Sequence, residues 1–187
     1  MMARVLRGRA IPAFALLLAA CVAQPPAADS GKIDRVLELI QQRLAIADDV
    51  ARVKWNTGAA IEDPPRERAI IDAIGRQAPD YGLSAGAAQD FFRAQIEASK
   101  IVQRARFGEW RAASQPKFTN VRDLKTDIRP ALDALTPAML SALAAAMPAL
   151  RSPGAGATVE ARAALFITGA AARAEAVAPL VRISQPR

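Results

Sequence analysis

The stretch from position 32 to about 60 constrains the fold more than any other, because at about 100° per residue it makes one long amphipathic helix. Val36, Ile40, Ala47 and Val50 share its apolar face, while Asp34, Glu38, Gln41, Asp48, Asp49 and Arg52 lie opposite. Arg43 and Lys54, eleven positions apart, fall within about 20° of each other on the apolar side. Two full cations therefore stand on the stripe that a bundle would bury. A buried cation without a partner costs several kcal/mol, so anions must meet them, either the chain's own or a ligand's.

The rest of the chain continues in helices. Asp29 or Ser30 can cap the first of them at about Lys32, and Glu62-Asp63-Pro64-Pro65 ends it, since the residue before a proline is pushed out of the α region. The same prolines open a second helix, 65–77, with Ile70, Ile71 and Ile74 turned inward. Pro79-Asp80-Tyr81-Gly82 is a turn, and Ser84 caps a third helix reaching about Phe107. On it Phe92, Ile96, Ser99 and Gln103 lie within about 40° of one direction, whereas Glu97, Lys100 and Arg104 occupy other faces. Positions 108–120 read as a loop with Trp110 packing over it. A fourth helix begins near Asp127, with Arg129 at its mouth, and kinks or restarts at Thr136-Pro137. The apolar segment 138–150 is expected to be buried. After a loop at 151–156, one last helix, 158–181, offers Leu165, Phe166, Val177 and Leu180 for packing. No segment alternates with period two, so the fold class is all-α, a bundle of about five to six helices.

Before this domain, 32–187, the chain carries what reads as a secretory signal, residues 1–21: Arg4, Arg7 and Arg9, then an apolar run from Ile11 to Ala20. The run is too short for a stable membrane span. Leu18-Ala19-Ala20-Cys21 resembles a bacterial lipobox, which would place a lipid anchor on Cys21; ordinary cleavage beside it is the equal alternative. Residues 22–31 form a flexible leader. These features predict a periplasmic or secreted protein. Cys21 is the only cysteine, so the domain has no internal disulfide. There is no histidine, which removes imidazole bases, Ser-His triads and His-containing zinc sites. The formal charge of +7 falls to about +4 without the three signal arginines. In an exported protein this balance suits a small anionic substrate better than nucleic acid.

The segments RL followed by VARVKW, then IEDPPRE, then QIEASKIVQ, with Arg43, Lys54, Asp63, Arg66, Ser99 and Gln103 at their intervals, resemble the active-site pattern of the all-helical (type II) chorismate mutases. The signal sequence and the extra C-terminal helices resemble the secreted subclass. The resemblance implies an isomerase that turns chorismate into prephenate by a Claisen rearrangement, with no cofactor and no metal. It implies that Arg43 clamps a substrate carboxylate, that Lys54 donates to the ether oxygen and a carboxylate, and that Gln103 is the second donor to that oxygen. Asp63 would accept from the substrate hydroxyl, Arg66 and Ser99 would orient the remaining polar groups, and Arg129 would complete the site from the same chain. A homodimer is expected by the same resemblance, with Ile101 available to cover a partner surface.

Other readings of these residues stay open. Arg66 and Glu67 can be first-turn surface charges, Asp63 a helix terminator and Ser99 a small residue at a helix crossing. A non-catalytic exported helical module, or a lyase on a chorismate-like acid, are the alternative functions. An amide at position 103 donates at any pH, which predicts catalysis nearly independent of pH through the neutral range.

Overall fold

The computed structural model describes residues 27–185, and the expected signal segment, Cys21 and the first part of the leader lie outside them. Six helices follow in chain order: α1 (Ala27–Thr57), α2 (Pro64–Gln77), α3 (Ala85–Ala112), α4 (Arg129–Leu150), α5 (Ala155–Phe166) and α6 (Ala170–Ile183). No strand occurs among the described residues. The all-α expectation is met.

Helix α1 is the centre of the bundle and packs on α3, α4 and α5. It buries Ile33, Val36, Leu37, Ile40, Leu44, Ala47 and Ala51. It starts earlier than expected, running through Asp29 and Ser30 rather than being capped by them. It also stops earlier, before the prolines are reached. Gly58 turns into the left-handed region at φ +69°, and the Ala59 N–H donates back to the Lys54 carbonyl at 3.1 Å, a closure that glycine permits without a Cβ penalty.

Helix α2 opens as the sequence implies. Pro64 and Pro65 fill its first turn, where their missing N–H groups are no loss, and the Asp63 side chain accepts from the Arg66 N–H at 3.2 Å. Ser84 likewise caps α3, accepting from the Ala87 N–H at 3.3 Å. Helix α3 packs on α1, α2 and α6 and continues past Phe107 to Ala112, so Trp110 is helical rather than in a loop. There it meets Trp55 and Phe118 edge-on, at centroid distances of 5.6 and 4.7 Å. This aromatic cluster explains the extra turn, because the helix must continue to deliver Trp110 to it.

A π-helical turn at Leu124–Ile128, capped by Asp123, leads into α4. The helix does not restart at Thr136-Pro137: α4 is continuous through Pro137 and Pro148. An interior proline costs roughly 3 kcal/mol, and the burial of Met139, Leu140, Leu143, Ala146 and Leu150 offsets it. By length and composition 124–150 could cross a bilayer; in this fold Met139, Leu140, Leu143, Ala146 and Leu150 of that stretch are buried, while Ala134 and Ala145 are exposed. The expected single last helix is instead α5 and α6, parted at Gly169, whose φ is +82°. Val177 and Leu180 are buried as expected and Phe166 is half-buried, but Leu165 is 77% exposed. Ile101 is half-buried against the core.

Candidate active site

Four helices bring the candidate residues to one cavity of about 140 Å³. Helix α1 supplies Arg43 and Lys54, the start of α2 supplies Asp63 and Arg66, α3 supplies Ser99 and Gln103, and α4 supplies Arg129. All seven residues singled out from the sequence line it. A larger depression, about 1070 Å³, lies between the start of α3 and the ends of α4 and α6. It contains none of the seven, and the convergence of cations makes the smaller cavity the candidate site.

The side chain of Arg43 is 7% exposed and its Nε has no hydrogen-bond partner. Desolvation pulls its pKa down to about 10, well below the ordinary guanidinium range, with the charge of Asp133 acting in the opposite sense. Lys54 is half-buried and donates to the Ile61 carbonyl at 2.5 Å. Burial lowers its pKa; Asp63, Glu62 and Glu67 push it back up, and Lys100 adds to the lowering. Arg129 is half-buried on the cavity wall, without an ion pair among the described residues. These are groups short of counter-charge, prepared for an anion.

Gln103 is 4% exposed; its Nε2 donates to Ser99 Oγ at 3.1 Å, while its Oε1 has no partner. A half-turn of the amide exchanges the two atoms, with the Ser99 hydroxyl then donating, and leaves the NH₂ as the unpaired group. Gln103 thus holds one uncommitted hydrogen-bonding atom in either setting.

Three further charged residues of the cavity were not assigned to it from the sequence: Glu67, Lys100 and Asp133. The Asp63 N–H donates to Glu67 Oε1 at 3.1 Å, which returns the cap that Asp63 gives α2. The other oxygen of Glu67 accepts from Lys100 Nζ at 3.1 Å, and Lys100 also pairs with Glu97 at 2.5 Å. Lys100 is 8% exposed, not on a solvated face as expected. Burial pulls its pKa down, but Glu97 and Glu67 reverse this and leave it raised. Its i,i+3 partner Glu97 was the available signal; the second partner comes from α2 and has no trace in local spacing. Asp133 sits one turn beyond Arg129 and lies 3.5 Å from Arg66 Nη2.

The segment between α3 and α4 is tied down beside the cavity. Asn56 Nδ2 donates to the Phe118 carbonyl at 2.9 Å and its Oδ1 accepts from the Phe118 N–H at 2.8 Å. Arg122 pairs with Asp49 at 2.9 Å. These ties hold the backbone that carries Leu124 and Arg129 to the cavity wall. The site has clustered cations and a buried amide but no nucleophile set beside a base. Such a site can grip an anion, fix its shape and stabilise new negative charge.

A family model described as "Chorismate mutase type II" matches residues 32–104, which include every candidate residue except Arg129. The chain is 33% identical over 125 residues to a secreted chorismate mutase of Mycolicibacterium smegmatis, covering 67% of this chain and 68% of that protein. It is 27% identical over 139 residues to a secreted chorismate mutase of Mycobacterium tuberculosis, covering 73% and 69% respectively. Its fold is similar to the crystal structure of chorismate mutase from Burkholderia thailandensis, with a TM-score of 0.75 and 33% identity over 80% of this chain and 98% of that one. The helical order, the cavity and these similarities agree, and the chain belongs to the type II chorismate mutase family.

Proposed function

We propose that the cavity between α1, α2, α3 and α4 is where this chorismate mutase converts chorismate to prephenate. In that rearrangement the ether C–O bond breaks as a C–C bond forms within the same molecule. No atom is gained or lost, and no proton need be shuttled. The protein's task is to hold a dicarboxylate in its compact conformer and to stabilise the negative charge that grows on the ether oxygen.

The Arg43 guanidinium, already stripped of water, takes one carboxylate as a planar fork. Lys54 swings its ammonium toward the ether oxygen and a carboxylate while keeping the Ile61 carbonyl as an anchor. Gln103 presents its NH₂ as the second donor to that oxygen, with Ser99 fixing the amide. Asp63 accepts from the substrate hydroxyl, and Arg66 and Arg129 orient the remaining carboxylate. The observation that carries this reading is the convergence of five cations, one of them (Lys100) already paired with Glu67, and a buried, half-satisfied amide on one cavity. A non-catalytic scaffold has no need of that arrangement and is destabilised by it.

The test is to incubate the chain lacking its first 21 residues with chorismate, following loss of chorismate absorbance and formation of prephenate. Product other than prephenate would indicate a lyase, and no turnover would indicate a binding scaffold. Export is part of the same proposal, supported by the leader sequence and by relatives named as secreted. The mass of the mature N-terminus separates a lipid on Cys21 from simple cleavage. A homodimer is proposed on family grounds, with size-exclusion chromatography as its check.

A further inference from the structure

We propose that Asp133 is a resident counter-ion, standing in for a substrate carboxylate while the site is empty and thereby setting how tightly the site takes its dianion. This deepens the reading above and rests on it. Of the three acids on the cavity wall, Asp63 is committed to capping α2, and Glu67 to the Asp63 amide and Lys100. Asp133 caps nothing; Arg66 is its hydrogen-bond partner. Its charge is also the one that opposes desolvation of Arg43. One carboxylate on α4 therefore acts on guanidiniums from α1 and α2, both assigned to the ligand.

The pairing is loose. Its 3.5 Å separation exceeds the roughly 2.7–2.9 Å of a tight charge-assisted bond. The Asp133 side chain is 66% exposed, so it can turn into solvent without losing burial. An incoming carboxylate reaching Arg66 displaces a weak contact, yet approaches against a like charge that remains at the mouth. Asp133 thus steadies the buried Arg43 and the more exposed Arg66 before binding and opposes the dianion during it.

Steady-state kinetics of Asp133→Asn, Asp133→Ser and Asp133→Glu in the mature chain test this. The Asn and Ser variants should lower KM about threefold to tenfold at low salt, with kcat within about twofold of the parent. Asp133→Glu should keep the parental KM, and the gain should shrink as ionic strength rises past about 0.15 M. Prephenate should raise the melting temperature of Asp133→Asn more than that of the parent. An unchanged or higher KM in Asn and Ser, a collapse of kcat, or no larger prephenate shift overturns the role. If the parent chain itself fails to convert chorismate, the site assignment fails instead; if it turns over normally and only these comparisons fail, Asp133 alone is reassigned.

Discussion

The charge on Arg43 is held in α1 at the expense of its hydration, with a pKa near 10. Because that value lies below that of an ordinary guanidinium, the folded chain binds fewer protons than the unfolded one above about pH 10. The penalty is therefore fully present at neutral pH and eases as pH rises through 10. Arg43→Met should raise the melting temperature while cutting kcat/KM by roughly 10² or more, a pairing that thermal melts and chorismate kinetics on one preparation will check. Lys54→Ala should likewise reduce turnover by roughly 10² or more, since it removes the donor proposed for the ether oxygen. The pKa of Lys54 is lowered by burial, so the alkaline limb of kcat/KM should begin below the usual lysine value, with the profile flat between about pH 5 and 8 because Gln103 does not titrate. A steep fall within that window, in a pH–rate series, would contradict the assignment of Gln103. Arg43, Lys54, Ser99 and Gln103 were legible because each lies on its own helix's apolar stripe, where angle alone reveals it. Lys100 was not, because it stands on the flank of α3 and becomes buried only when Glu67 of α2 arrives beside it.

Helix boundaries were legible where a local signal has no rival. Pro64 and Pro65 open α2 and Ser84 caps α3 as expected, while the cap that Asp63 gives α2 was not foreseen. The misreadings arose where packing outweighs local preference: α4 passes through Pro137 because its lower half is buried, and α3 extends to Ala112 because Trp110 belongs to an aromatic cluster. Gly169 parts α5 from α6 with a positive φ that a helical pattern does not disclose. The tie between Asn56 and Phe118 belongs to this scale, since it fastens the end of α1 to the segment that precedes α4. Asn56→Ala leaves the Phe118 N–H and carbonyl without that partner, which should cost about 1–3 kcal/mol of stability. Limited proteolysis should then show faster cleavage between positions 113 and 123, with KM raised more than kcat is lowered. Equal protection of this segment in parent and variant would show that the tie does not hold it.

At the scale of the molecule, the bundle brings residues from α1, the start of α2, α3 and α4 to one cavity, and this long-range closure was not visible in spacing. The sequence carried the helices and their inward cations; which helices meet, and that Asp133 meets Arg66 across them, is decided by tertiary packing. Arg129 comes to the wall from the same chain as Lys54 and Gln103. On dilution, a centre shared between two copies would be lost with every dissociation. A centre contained in one polypeptide is indifferent to dilution. Turnover per chain should therefore stay constant as the protein is taken from micromolar to picomolar, whether or not it associates on the way.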